Sequence, residues 1–481
     1  MNRIELLQHF PWFLIIILLV VDVWATGHVL LFKRDTRAAI AWVGYIWFVP
    51  LFGSLLYFLL GINRIKRRAR SLMNPHCPPA ESEVASSFQI HSDELATSGS
   101  RLPNLARIVE QVTCLPLTRG NDVRELGPQT AYSEMLASIE QAQSSIALCT
   151  YIFDRDPIGR RFVEALAAAQ KRSVEVRVLI DDVGARYSWP SIFRWLRNEK
   201  ISADSFMPAW IPWIARYANL RNHRKLLIVD GATGFTGGMN IRASQSIETF
   251  ASRRTEDLHF RMRGPVVGQM QNVFVEDWRF TTGESLSGEN WFPEIASHGD
   301  VLARSVSAGP DEEYERLRMT ILAALSCAEK SVRIVTPYFV PDRDIITALN
   351  LASMRGVGVD ILLPQVNNLC FVQWASTAIL WQVLERGCRL WYVPPPFDHT
   401  KLMLVDGVWT FLGSSNWDAR SLRLNFELNV ECYDQSLTQR LELMVEEKRS
   451  RSTPITLADV DGRSVPRKLR DGLARLLSPY L

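Results

Sequence analysis

Two histidines, two lysines and two asparagines recur in this chain at fixed intervals. His223, Lys225, Asp230, Gly237, Gly238 and Asn240 follow the pattern His-x-Lys-x4-Asp-x6-Gly-(Gly/Ser)-x-Asn, and His399, Lys401, Asp406, Gly413, Ser414 and Asn416 repeat it with the same internal spacing. A neutral imidazole can attack phosphorus while a protonated one donates to the leaving alkoxide, so paired histidines suit covalent phosphate chemistry. Two lysines and two asparagine amides can hold phosphate oxygens and stabilise charge in a pentacovalent transition state. Such a cationic clamp removes the need for a metal. The seven cysteines fit this, having no C-x-x-C pair or zinc-finger spacing, so no metal or other cofactor is expected.

The spacing has a structural meaning. Leu226–Val229 and Leu402–Val405 are short apolar runs, as buried strands require, and residues i and i+2 on a strand share a face. His223 and Lys225 therefore project together, as do His399 and Lys401. Each run ends in Asp-Gly, a strong hairpin signal. Folding back there pairs Val229 with Ala232, sets His223 near Gly238, and brings Asn240 beside the His/Lys pair; Asn416 returns likewise towards His399. Asp230 and Asp406 sit on the turns and are expected to order the motif. Ser414, where the first copy has Gly238, is expected to add a phosphate hydrogen bond.

The repeat extends beyond the motif. A helical segment at 133–142 precedes a strand-like run at 145–151, with counterparts at 315–329 and 331–338. A helix and a second strand come next in each copy, at 159–171 and 174–180, then at 343–354 and 359–363. Strands alternating with helices predict an α/β fold with a mixed or largely parallel sheet, two such domains forming a pseudo-dimer in one chain. We assign 113–295 to the first domain, 296–481 to the second, and 71–112 to a linker, whose residues 71–104 are rich in Ser, Pro, Glu and Ala.

Residues 1–70 pose a different solvent problem. Pro11–Phe32 and Ala38–Ile62 are both close to the roughly 20 residues that span a bilayer, and they predict a transmembrane helical hairpin. A second apolar stretch so close behind the first argues for a retained anchor rather than a cleaved signal. Asp22 and His28 interrupt the first span and are expected to face the partner helix, another subunit or an interface, so an oligomer is compatible with the sequence. Arg64, Lys66, Arg67, Arg68 and Arg70 flank the second span and place the remainder of the chain in the cytoplasm by the positive-inside rule.

With these residues in view, the duplicated motif resembles that of the phospholipase D superfamily. The run from Asn219 to Lys225, the run from Asp257 to Pro265, the run from Asp418 to Glu427, and the closing Leu476 to Leu481 are similar to bacterial cardiolipin synthases, over essentially the whole chain. That resemblance implies an acidic residue downstream of each motif that orients a catalytic histidine; Asp257 and Glu427 match those positions. It also implies a multi-pass protein of the bacterial inner membrane, acting on phosphatidylglycerol among anionic membrane lipids. The implied reaction passes a phosphatidyl group between two such lipids, giving cardiolipin and glycerol through a phosphatidyl-histidine.

The same residues serve a phospholipase D using water, or a transferase with another donor or acceptor such as phosphatidylethanolamine. Lys and Arg exceed Asp and Glu by three, no long basic stripe appears, and no nucleic-acid partner is expected. The apolar loop from Phe206 to Ile214, with Trp210 and Trp213, is expected to anchor at an interface, whereas Trp381 and Trp391 are expected to pack in the core. The basic, amphipathic 467–477 either lies on anionic lipid or caps the second domain.

Overall fold

A computed structural model describes residues 3–33, 36–61, 88–90, 101–208, 220–246, 254–309 and 315–478. The basic flank after the second apolar stretch, most of the linker, Trp210, Trp213 and the final three residues lie outside them. The chain divides into an N-terminal unit and a larger body.

In the N-terminal unit, one helix spans Arg3–Phe32, and its segment Ile15–Phe32 is long and apolar enough to cross a membrane. The second apolar stretch is not the single helix expected. It is helical over Thr36–Phe48, breaks at Pro50 and Leu51, and resumes as Phe52–Leu56 and a π-helical turn Tyr57–Gly61. Proline has no N–H to give to the helix and its ring opposes the preceding turn. The polar residues of the first span face this broken stretch. Ser54 Oγ donates to Asp22 Oδ1 at 2.5 Å, Trp47 Nε1 to Thr26 Oγ1 at 3.1 Å, and His28 Nδ1 lies 2.8 Å from Tyr57 Oη.

The body is built on one long mixed sheet with a near-symmetric strand order. The first half supplies β1 (Leu117–Leu126), β2 (Ser145–Thr150), β3 (Glu175–Asp181), β4 (Ala203–Phe206), β5 (Leu226–Val229), β6 (Thr233–Gly237) and β7 (His259–Arg263). The second half supplies β8 (Val301–Ala308), β9 (Ser331–Val335), β10 (Gly358–Pro364), β11 (Arg389–Val393), β12 (Leu402–Val405), β13 (Trp409–Gly413), β14 (Glu427–Tyr433) and β15 (Thr453–Ile455). Outward from the seam the order is β1-β7-β6-β5-β2-β3-β4 on one side and β8-β14-β13-β12-β9-β10-β11-β15 on the other. Each half thus contains a parallel βαβ unit, β2 with β3 and β9 with β10, joined antiparallel to the motif hairpin. The seam is the antiparallel contact of β1 with β8, so the two repeats share a sheet.

The linker expected to run to residue 112 ends sooner. Leu102–Thr113 is a helix whose Leu105, Ala106 and Val109 are buried with Leu317 and Ile321 in the core of the second half. Beside it, fully buried Arg304 on β8 donates to Ala106 O at 2.8 Å, to Leu115 O at 3.0 Å, and through Nε to Glu431 Oε1 at 2.7 Å. Glu431 also accepts from Trp409 Nε1 at 3.0 Å and Tyr433 Oη at 3.2 Å. Removing one partner of such a pair strands the other charge in low dielectric. Arg304→Ala is therefore expected to cost about 3–5 kcal/mol, seen as a lowered denaturation midpoint.

Trp391 is partly buried, with Nε1 donating to Asp360 Oδ1 at 3.0 Å, but Trp381 is 41% exposed on its short helix and is not a core residue. Of the six described cysteines, Cys149, Cys327, Cys388 and Cys432 are buried and Cys114 and Cys370 exposed, all as free thiols.

Candidate active site

Both motif hairpins turn at Asp-Gly, with left-handed φ of 52° and 60° at Asp230 and Gly231, then 53° and 71° at Asp406 and Gly407. Their register is one residue longer than the two-residue turn predicted: Val229 pairs with Thr233 and Val405 with Trp409, because Ala232 and Val408 join the loop. The aspartates fix these turns to the neighbouring strand. Asp230 accepts from the backbone N–H groups of Gln143, Ser144 and Ser145 at 2.9, 2.7 and 3.1 Å, and Asp406 from those of Glu329, Lys330 and Ser331 at 2.9, 2.7 and 2.8 Å. They sit at the far end of the strands from the histidines and hold the hairpin in place.

At the other end the two halves exchange carboxylates. His223 Nδ1 is 3.0 Å from both oxygens of Glu427, and His399 Nδ1 is 2.7 Å from Asp257 Oδ2. Each acid serves the histidine of the opposite repeat. Backbone contacts enforce the crossing: His223 N–H donates to Phe426 O at 2.8 Å and His399 N–H to Glu256 O at 2.7 Å, each carbonyl lying one residue before the acid. A short parallel ladder of Phe397–Asp398 with Thr255–Glu256 extends the second contact, and an Asn222–Phe426 bridge the first.

Buried polar side chains brace both clamps. Arg224 donates to Asp277 Oδ1 at 2.5 Å and to Glu427 O at 3.1 Å, while Asn222 Nδ2 donates to Asp277 Oδ2 at 2.9 Å. In the second half the charges are reversed, Lys448 pairing with Asp398 and reaching Thr400 Oγ1 at 3.2 Å.

The lysines fold over their own histidines. Lys225 Nζ donates to His223 O at 2.6 Å and Lys401 Nζ to His399 O at 2.7 Å. Lys401 Nζ also lies 3.0 and 3.1 Å from the two ring nitrogens of His399, over the ring face. Asn240 Oδ1 accepts from Ile152 N–H at 3.1 Å, leaving its NH2 as a donor. Asn416 is buried at the equivalent position.

Ser414 does something other than expected. Its hydroxyl donates to Glu427 Oε2 at 2.5 Å, accepts from Leu428 N–H at 3.0 Å, and is wholly buried, so it serves the acid rather than a phosphate. Gly238 occupies the matching place in the first half. A Cβ there would stand 2.0 Å from Asp257 Oδ1, so the acid takes up the space of the missing side chain, and Gln245 Nε2 supplies the donor at 2.9 Å.

Burial is the main influence on charge here. It pulls His223 down to about 4 against the opposing pull of Glu427, with Lys225 lowering it further. His399 is lowered by burial and then by Lys401, against Asp257. Burial brings Lys225 to about 7 and Lys401 to about 8, although Glu427 and Asp257 favour the charged forms. Burial pushes Glu427 up, but His223, Lys225 and Ser414 together hold it below the usual carboxylate range. The free site therefore presents neutral imidazoles beside a charged acid and two lysines that lose their protons easily.

Sequence reasoning missed Tyr151 and Tyr338, whose rings meet His223 and His399 edge-on at 5.2 and 6.1 Å between centroids. Their signal was in the repeat: each closes the run of the first strand of its βαβ unit. Gln245, Arg224 and Asp277 had no equivalent signal, since their partners become neighbours only in the folded chain.

Comparison with known proteins agrees with this architecture. The family described as cardiolipin synthase, PLD-like domain, matches residues 135–278 and 321–448, and the phospholipase D-nuclease N-terminal family matches residues 20–61. A cardiolipin synthase of Staphylococcus aureus (strain Mu50) is 30% identical over 464 residues, covering 93% of this chain and 92% of that protein. One from Listeria innocua serovar 6a is 30% identical over 480 residues, covering 98% and 99%. Among solved structures, a phosphatidylserine synthase of Haemophilus influenzae Rd KW20 superposes with a TM-score of 0.64 at 14% identity, covering 79% of this chain and all of that one, which bears on the fold alone. The chain, a membrane-associated phosphatidyltransferase, belongs to the cardiolipin synthases of the phospholipase D superfamily.

Proposed function

We propose that the protein joins two phosphatidylglycerol molecules into cardiolipin and glycerol through a phosphatidyl-histidine. The observation that supports this reading best is the crossed pair of histidine–carboxylate contacts, which leaves Nε2 of each imidazole for chemistry and gives each a buried anion to stabilise its cationic form. His223 Nε2 attacks the donor phosphorus, forming a P–N bond as the P–O bond to glycerol breaks; His399 gives its proton to the departing alkoxide. His399 then takes the proton of an acceptor hydroxyl as that oxygen attacks phosphorus and the P–N bond breaks. Lys225, Lys401, Asn240 and Asn416 hold the phosphate oxygens throughout. The negative charge of an incoming phosphodiester raises the proton affinity of His399 and the lysines, which then take up from water the protons that burial makes labile.

We also propose that the body lies in the cytoplasm behind a two-pass anchor, on the strength of the basic residues from Arg64 to Arg70. The direct test supplies the detergent-solubilised protein with phosphatidylglycerol alone, a chelator present, and resolves the lipids by mass spectrometry. Cardiolipin with free glycerol is expected. Phosphatidic acid instead would make water the acceptor, and absence of turnover would send the search to phosphatidylethanolamine as donor.

The pH profile follows from the same charges. Below about 4 His223 is protonated and cannot attack; as pH rises through about 7 to 8 the free protein loses the lysine charges that attract phosphate. The profile of kcat/KM is expected to be bell-shaped, its alkaline side falling first as His399, which burial lowers, loses the proton it must donate, and again between pH 7 and 8 as the lysines lose theirs. A profile flat to pH 9.5 on that side would remove the lysines from this role (~two units beyond Lys225 is ample to see the loss).

A further inference from the structure

Helices on a folded body turn their apolar stripe inward. The helix Val465–Leu476 does the reverse. Its contacts with the body run through Asp471 and Ala474, which are buried against the neighbourhood of the helix Cys370–Thr377. Arg463 pairs with Asp471, and Arg470, lying 4.5 Å over the Trp374 ring, donates to Asp471 Oδ1 at 2.6 Å. At about 3.6 residues per turn, Val465, Leu469, Leu473 and Leu476 fall on the opposite side, and each is between 64 and 69% exposed. Phe371, on the helix that it packs against, and Leu369, just before that helix, are also about half exposed. Lys468 and Arg475 border one edge of the apolar row and Arg470 the other.

We propose that this outward row is a second lipid-contact surface, separate from the N-terminal anchor, which lies flat on an anionic phospholipid surface. Four leucine-class side chains in water are unfavourable by area alone, so the row calls for a cover. The cations at its edges select the cover. A second copy brought face to face across a twofold would oppose like charges, whereas anionic headgroups neutralise them while acyl chains receive the row. The polar bond network beneath, centred on Asp471, fixes which face looks outward.

The test uses the full chain, one copy per nanodisc, with phosphatidylcholine alone or mixed with phosphatidylglycerol, and follows amide hydrogen exchange over 465–478. Exchange about tenfold slower in the anionic discs is expected. Each basic side chain at an anionic surface is worth roughly fivefold in partition, so the double variant Lys468→Glu/Arg475→Glu should erase the difference between discs, and Leu469→Glu/Leu473→Glu should remove protection in both. All four positions are exposed, and unchanged exchange in the central sheet would verify folding. Equal exchange of the wild type in the two discs would overturn the proposal. Protection that grows with protein concentration without anionic lipid would overturn it in favour of a second copy.

Discussion

His399→Asn is expected to accumulate a phosphatidyl adduct on His223 while losing at least about 10³-fold in turnover, and His223→Ala is expected to give neither adduct nor cardiolipin. The asymmetry rests on geometry and charge. His223 is held neutral down to about 4, suiting a nucleophile, and His399 has the shorter contact to its acid, 2.7 against 3.0 Å, suiting a group that must become cationic. Without His399 the glycerol still departs slowly, protonated by solvent, but nothing deprotonates the acceptor hydroxyl, so the intermediate persists. Acid-labile, base-stable radioactivity from phosphate-labelled lipid, mapped by mass spectrometry, reads the outcome. An adduct on His399 in a His223→Asn protein would exchange the roles, and no adduct in either would sink the covalent route.

The second large effect crosses the pseudo-twofold. Glu427→Gln should slow adduct formation by about 10³–10⁴-fold, the scale seen when a histidine loses its carboxylate partner, although Glu427 lies in the half opposite His223. Asp257→Asn should act on the other step, slowing resolution of the adduct more than its formation. Single-turnover quench experiments separate the two rates. Were Glu427→Gln to leave adduct formation fast while stalling its resolution, the pairing of steps with histidines would be reversed. Thermal denaturation of each variant controls for lost structure, since Glu427 also accepts from Ser414 and Asn425.

Much of this was legible in the residues. The strand Leu226–Val229, its partner Leu402–Val405 and the βαβ units announced themselves through apolar runs and periodicity, which are local properties. The exchange of Asp257 and Glu427 between halves was not legible, because spacing along the chain says nothing about which repeat an acid faces once two halves pack. The one-residue difference in hairpin register arose because Asp-Gly specifies a turn without fixing the rest of the loop. Ser414 departs from expectation for a related reason: a hydroxyl beside a phosphate motif suggests phosphate, but its neighbour in space is an acid 13 residues on. The helix Leu102–Thr113 carried a local signal that was overlooked, Leu102, Leu105, Ala106 and Val109 recurring at helical spacing; what the sequence does not show is its partner, Arg316–Cys327, some two hundred residues away.

Joining the repeats in one polypeptide has an evolutionary consequence. A site formed by two identical chains must give both histidines the same surroundings, so any change that improves one step is imposed on the other. Here inheritance is uncoupled. One acid is an aspartate fitted beside a glycine and supported by Gln245; its counterpart is a glutamate supported by Ser414 and Asn425. Selection can therefore tune a nucleophile and a proton carrier separately within a scaffold that still looks symmetric, and divergence between the halves becomes a record of the division of labour.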